Sequence, residues 1–277
     1  MTKIRVSIII TYYSDKKKLF DTIESVLHNK PKYAELIIID NSESDTISDL
    51  KNNNKLIYIK SSKNGGYGAG NNLGAANARG EYLFFLNPDT RITNKTIPNL
   101  VQFFKNTKKV GIVAPNLVDP KGNLFPQLGS NELGPISGMI ALSFVNTVFP
   151  DNSISRNYWL TDQDMTVDRE VKVVPGSAFM IKKTIFKELH GFDEKFFLFF
   201  EESDICRRVR DLGYKIFFTA KSEVVHIWKF DNREESPILK KHFVHSRFYY
   251  FRKHYGLLWA ITVEIFTRMS RLLALFF

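Results

Sequence analysis

Polar and acidic side chains stand in this sequence where short apolar runs end. Thr11 and Tyr12 close the first run, Asp40-Asn41-Ser42 the second, and Asn87-Pro88-Asp89 follows Tyr82 to Leu86. Asp40 can accept from the N3–H of a pyrimidine, or cap a turn through its own backbone. Asp89 can hold a hard divalent cation that bridges diphosphate oxygens, since such an ion takes one or two carboxylates and keeps waters. It can equally form the turn after Pro88. The stretch from Lys63 through Asn64, Gly65 and Gly66 to Asn72 opens a helix. Its backbone can approach a phosphate at the helix N-terminus, or its glycines can serve a tight loop alone. Neither the dinucleotide fingerprint nor the P-loop spacing is present. Glu201-Glu202-Ser203-Asp204 follows the aromatic stretch Phe196 to Phe200. Acidic residues at a helix start complement its dipole. Carboxylates against aromatics also suit a low-dielectric cleft, where burial raises their pKa and one can act as general base. His226 ends a late apolar run, as a ligand or as a histidine satisfied by backbone.

The elements that must position these residues alternate. Strands are expected over Ile4–Thr11, Glu35–Asp40, Lys55–Lys60, Glu81–Asn87 and Val110–Ala114, with helices over Asp15–Leu27, Ala69–Arg79 and Ile97–Phe104. Near-continuous apolar strands between helices predict an α/β fold with a mostly parallel sheet covered on both faces, and ligands then bind beyond the strands' carboxyl ends. From Pro115 to Asp168 the pattern gives no clear elements, and loops this long are usually functional or mobile. Strands return at Val171–Val174, Ala178–Ile181, Lys215–Thr219 and Glu223–His226, with helices over Thr184–Leu189 and Ser203–Leu212.

The 277 residues suffice for a large core plus an appendage. A net charge of +10 attracts polyanions, anionic lipid or phosphorylated small molecules without choosing among them. The sole cysteine, Cys206, excludes an intramolecular disulfide framework and suits the cytosol. No signal peptide is expected, because the first apolar run is too short for one, and no stretch reads as a membrane span. The tail differs from the rest. Leu239–Tyr255 mixes Lys240, Lys241, Arg247, Arg252 and Lys253 with Phe243, Phe248, Tyr249, Tyr250 and Phe251. The following helix, Leu257–Phe277, gathers Leu258, Ile261, Ile265, Met269, Leu272 and Phe276 on one face and Glu264, Thr267, Arg268 and Arg271 on another. That pattern suits a helix lying in a membrane interface; packing on the catalytic domain, or on a second subunit of a homo-oligomer, is the alternative.

Taken together, these blocks resemble family 2 of the glycosyltransferases, with the GT-A fold, and within it the rhamnosyltransferase-like branch. The resemblance is carried by Val6–Tyr13, Ile38–Ser42, Asn64–Gly68 and Leu86–Asp89, then by Pro175–Met180, Gly191–Glu194, Phe200–Cys206 and Gly213-Tyr214 before His226, covering Ile4 to Trp228. It implies a catalytic domain over residues 1–230, divided near residue 115 into nucleotide-binding and acceptor halves, with residues 231–277 as the helical tail. It implies that Thr11 and Asp40 hold nucleobase and ribose, with Tyr12 beside them, and that Asn64, with Gly65, contacts the donor. Asn87 and Asp89 occupy the Asp-x-Asp metal position, with Asp89 and His226 as ligands of Mg2+ or Mn2+. Glu202 matches the catalytic base, Glu201 is its rival, and Asp204 matches an acidic residue that binds acceptor. Asn87 departs from the motif's first Asp, and Glu202 stands where Asp is commoner.

The expected reaction is inverting displacement at an anomeric carbon. The first-choice donor is dTDP-rhamnose, and the acceptor is a lipid-linked saccharide or polysaccharide at the cytoplasmic face of a membrane. UDP-galactofuranose, UDP-glucose or a UDP-N-acetylhexosamine is the alternative donor. A nucleotidyltransferase would want a glycine-rich basic loop where Thr11–Ser14 stands. A non-catalytic nucleic-acid binder would want its basic-aromatic cluster on the main domain, so no nucleic acid is expected as partner.

Overall fold

The computed structural model describes residues 3–44, 47–227 and 236–273. Trp228, Phe276, Phe277 and the first residues of the tail lie outside them, as does the Arg271 side chain.

Strands β1 (Val6–Tyr12), β2 (Ala34–Asp40) and β4 (Tyr82–Leu86) are almost wholly buried, as their unbroken apolar composition requires of a sheet covered on both faces. Helix α1 (Lys16–Asn29) connects β1 to β2 and is capped by Asp15, whose carboxylate accepts from the Lys18 amide. The remaining strands are β3 (Ile57–Lys60), β5 (Thr90–Ile92), β6 (Val110–Val118), β7 (Arg169–Val171), β8 (Ala178–Lys182) and β9 (Lys215–His226). They build one nine-stranded sheet in the order β3-β2-β1-β4-β8-β6-β9-β5, with β7 also on β9.

The α/β class, the flanking helices and the largely parallel pairing are as expected, and the sheet also takes antiparallel strands. Its first four strands pair in parallel, whereas β8 runs antiparallel to both β4 and β6, and β9 antiparallel to β5 and β7. β9 is one strand where two were expected. Its register against β6 shifts between Pro115 and Asn116, because proline has no amide to continue the ladder.

Helix α2 (Gly66–Asn77) starts three residues earlier than expected and shows what its glycines do. A Cβ on Gly74 would lie 2.4 Å from the Ile9 side chain, and one on Gly70 2.4 Å from that of Thr11. The glycines let the helix lie directly on β1. Gly66 has φ +85°, and a Cβ there would overlap the Phe197 carbonyl oxygen at 1.9 Å, so no other residue fits. Helices α3 (Thr96–Asn106), α7 (Lys183–Glu188) and α8 (Glu201–Asp211) follow expectation closely, and Pro115–Asp168 contains the short helices α4 (Pro135–Ala141), α5 (Phe144–Val148) and α6 (Ser153–Trp159).

The tail forms α9 (Pro237–Tyr255) and α10 (Leu257–Leu273). α9 is buried along one side. Tyr250 and Phe251 are fully buried, in a second apolar cluster with Phe196, Phe200, Leu133 and Ala141. Arg247 is buried against Glu264 of α10, and Lys253 is paired with Asp193 and Asp204, so two of the five cations expected to face lipid are engaged inside the protein. α10 packs through Ala260, Val263, Thr267 and Ser270 and turns its apolar residues outward, with Leu258 77% and Leu272 61% exposed. No described helix is long and apolar enough to cross a membrane.

Candidate active site

A cleft of about 540 Å3 opens beyond the carboxyl end of β4. Asn87, Asp89, His226, Glu201 and Glu202 all line it, brought from three separate parts of the chain. Asp89 is placed by a hydroxyl and a strand. Thr22 of α1 donates to the Pro88 and Thr90 carbonyls and accepts from the Thr90 amide, which fixes the turn. The Asp89 carbonyl accepts from the Ile227 amide where β5 meets β9. The result sets Asp89 Oδ1 3.2 Å from His226 Nε2. Burial alone would raise the Asp89 pKa, but the hydrogen bond and charge of His226 hold it below the usual carboxylate range. A carboxylate oxygen and an imidazole nitrogen converging at a cleft wall are donor types that Mg2+ or Mn2+ accepts, together with diphosphate oxygens and waters. Among the described residues no group of three or more His, Cys, Asp or Glu could hold a metal. The pair therefore fits an ion completed by substrate, not an all-protein cage.

The carboxyl pair reaches the cleft through a strained turn. Phe199 and Phe200 both have positive φ, 73° and 68°, immediately before Glu201 begins α8. A bulky L-residue in this region costs of order 1–2 kcal/mol, and such strain persists only where packing over-determines it. Here Phe200 lies against Phe243 and Tyr250, and Phe196 against Tyr249, all from α9. Burial raises the pKa of both glutamates, that of Glu201 further through the charge of Glu202. Glu201 is 5% exposed and its Oε2 has no hydrogen-bond partner. Glu202 is the more open of the two and faces Gly176, where a Cβ would lie 3.9 Å from its Oε2. An accessible carboxylate of raised pKa is what a general base near neutral pH requires. About two turns along α8 from Glu201, Arg208 is held by Asp204.

Asp204 lies apart from these two glutamates. It is fully buried, bound to Arg208, Lys253 and His254, and does not line the cleft.

The candidate donor residues lie outside this cleft, at the ends of β1 and β2 and the start of α2. Thr11 Oγ1 and Asn41 Oδ1 are buried without hydrogen-bond partners, an unusual state in a native structure that a bound group would relieve. Tyr12 is 3% exposed and belongs to the core. Asp40 is fully buried and already occupied: Oδ1 accepts from the Ser42 amide and hydroxyl, Oδ2 from Tyr58 and from Lys60 at 3.2 Å. A base can use Asp40 only by displacing one of these, and Lys60, 31% exposed, is the movable one. Asn64 Oδ1 accepts from the Gly66 amide, so its acceptor caps α2 and its amide group remains for a ligand. Gly65 sits against Ala69, in the same close packing as the rest of the glycine run.

Sequence reasoning missed Tyr67, Gln127, Leu142, Trp159, Leu239 and Phe243, which also line the cleft. Tyr67 donates to the Gly176 carbonyl, and burial with the nearby glutamates raises its pKa. Only the position of Tyr67 beside the glycines signalled it; Gln127, Leu142 and Trp159 lie in the unassigned stretch.

The glycosyl transferase family 2 model matches residues 7–190, from the start of β1 past α7. The chain belongs to glycosyl transferase family 2. Among curated relatives, this family 2 chain is 27% identical over 215 residues to the low-salt glycan biosynthesis hexosyltransferase Agl10 of Haloferax volcanii, covering 74% of this chain and 61% of that one. It is 24% identical over 150 residues to the N-acetylglucosaminyl-diphospho-decaprenol L-rhamnosyltransferase of Mycobacterium tuberculosis, covering 53% of this chain and 47% of the relative. The chain therefore spans about half to three fifths of the length of these relatives. Its fold is that of GalNAc-T7, solved with UDP, GalNAc and Mn2+, at TM-score 0.63 and 19% identity over 91% of this chain and 50% of that one. Staphylococcus aureus TarS matches at TM-score 0.56 and 16% identity over 89% of this chain and 39% of that one.

Proposed function

We propose that this protein is an inverting glycosyltransferase that moves a sugar from a nucleoside-diphosphate donor to a saccharide acceptor in glycan synthesis. The observation that carries this is the meeting, in one cleft, of an Asp89–His226 pair with an accessible carboxylate of raised pKa, Glu202. Glu202 takes the proton of an acceptor hydroxyl as it attacks the anomeric carbon, so that one direct displacement inverts configuration. A Mg2+ or Mn2+ ion held by Asp89 and His226 would neutralise charge developing on the leaving diphosphate. Asn87 lines the same wall; its amide and carbonyl are tied to Ser177 and Thr90, which holds the turn in place. Thr11, Asn41 and Asn64 lie where the nucleoside would be held, with Asp40 reading a pyrimidine once Lys60 moves aside.

The first-choice donor is dTDP-L-rhamnose, supported by the activity for which the mycobacterial relative is named, with a lipid-linked saccharide as acceptor on the same ground. The exposed apolar stripe of α10 and the exposed Lys240, Lys241 and Arg252 support peripheral docking on the cytoplasmic face of a membrane. The test is a donor screen reading nucleoside diphosphate release, with proton NMR of the product's anomeric signal. Retention of configuration would exclude the one-step scheme, and turnover of a UDP-sugar alone would move the donor to the uridine series.

A further inference from the structure

Asp204, fully buried in the seam between α8 and α9, has three basic side chains within ion-pair distance, more than any other described carboxylate. Its Oδ2 accepts from Arg208 Nε at 2.8 Å; its Oδ1 meets His254 Nε2 at 2.8 Å and Lys253 Nζ at 2.6 Å. Lys253 also reaches Asp193 Oδ2 at 2.7 Å, and Arg208 donates to the Leu189 and Gly191 carbonyls. One knot thus joins α9, the first turn of α8 and the 189–193 loop. That loop is tied in turn to the glycine-rich helix, since Phe192 exchanges hydrogen bonds with the Asn72 side chain. None of Asp204, Lys253 and His254 lines the cleft. Yet Asp204 lies two residues past Glu202, on a helix whose start is a strained Phe199-Phe200 turn. A helix end leading from a strained turn has to be held from outside, and the knot holds it one turn in.

We infer that Lys253 and His254 of α9 are positioning residues for the general base, acting through Asp204 to fix the direction in which Glu202 enters the cleft. The inference rests on Glu202 as base. A misplacement of about 1 Å at a reacting group can cost on the order of 100-fold in rate. His254→Ala and Lys253→Met should each lower kcat about 10- to 100-fold, with the calorimetric Kd for nucleoside diphosphate unchanged within error and a cooperative melt retained. His254→Gln and Lys253→Arg, which keep a donor toward Asp204, should recover most of the loss. A purely structural seam would instead lower the melting temperature and leave kcat per folded molecule alone. Glu202→Gln is measured beside them. If it turns over like wild type, the base assignment is wrong; if it is inactive while His254→Ala and Lys253→Met keep wild-type kcat, the positioning role alone is overturned. Should the truncating variants fail to melt cooperatively, Asp204→Asn carries the test, because it keeps the shape of the knot and removes its charge. Reduced kcat with unchanged Kd supports the inference, and wild-type kcat refutes it.

Discussion

The two adjacent glutamates give the sharpest prediction, because the substitution Glu→Gln should have opposite consequences at neighbouring positions. Glu201 is 5% exposed, one of its oxygens has no partner, and burial with the Glu202 charge raises its pKa. A carboxyl whose folded-state pKa is raised binds more protons folded than unfolded. Its contribution is fully present below the unfolded value near 4.3 and is lost as pH rises through the folded pKa. At pH 7.5, well above the unfolded value, the fold therefore penalises the ionisation that the unfolded chain gains, a penalty that the Glu201→Gln variant lacks. An unsatisfied buried polar group costs about 1–3 kcal/mol, and the amide stays partly unsatisfied, so the gain should be about 1–2 kcal/mol. For a chain of this size that raises Tm by roughly 2–8 °C. The gain should vanish near pH 4.5, where both forms are neutral. Glu201→Gln should keep kcat within about tenfold. Glu202→Gln should lower kcat by about 10²–10⁴, or roughly 3–5 kcal/mol of barrier. Scanning calorimetry at the two pH values and steady-state release of nucleoside diphosphate read both effects. Glu201→Gln less stable than wild type at pH 7.5 would refute the burial argument. An inactive Glu201→Gln beside an active Glu202→Gln would move the base by one residue.

Three further outcomes follow from the same geometry. Asp89→Ala, like excess chelator, should abolish transfer while the protein still melts cooperatively; full turnover in chelator would remove the metal from the scheme. Titration calorimetry should show uridine or thymidine diphosphate binding more tightly than cytidine or guanosine diphosphate, with Asp40→Asn weakening the preferred ligand; tightest binding of the guanosine ligand would show that Asp40 does not read the base. Ile265→Glu with Met269→Glu should abolish co-sedimentation with anionic liposomes and leave activity on a soluble acceptor analogue intact; equal pelleting of wild type and variant would count against α10 as the docking face.

What the sequence makes legible follows the length of its signals. β1, β2 and β4 are readable because each is an unbroken apolar run, and the polar residue ending each run marks the sheet edge where ligands bind. Helix α2 begins three residues ahead of its sequence signal because glycine disfavours helix locally, whereas close packing on β1 and beneath Phe197 demands it. The helices α4, α5 and α6 have five to seven residues each, too few for a 3.6-residue period to register, so Leu142 and Trp159 stay hidden in the sequence. Asp204 escapes for a different reason. Motif register gives its position along the chain, but only the fold shows that three basic side chains from two helices meet it.

The turn before α8 carries that point further. Two consecutive phenylalanines are among the least expected residues at positive φ, so local propensity argues against the conformation that aims the glutamates. The conformation is imposed by contacts distant in sequence: Phe200 against Tyr250 at 5.6 Å between ring centroids, Phe197 stacked on His242 at 4.3 Å, and the Phe197 carbonyl accepting from the Tyr67 amide. The first two come from α9, the third from the glycine-rich helix. The base is therefore aimed by the tail on one side and by the donor-side helix on the other. Phe200→Gly separates the two demands. It relieves about 1–2 kcal/mol of dihedral strain but deletes a buried ring worth about 3–5 kcal/mol, so stability should fall, and a loss of kcat per folded molecule would show that the ring, not the backbone, sets the aim of Glu202; unchanged kcat would refute it.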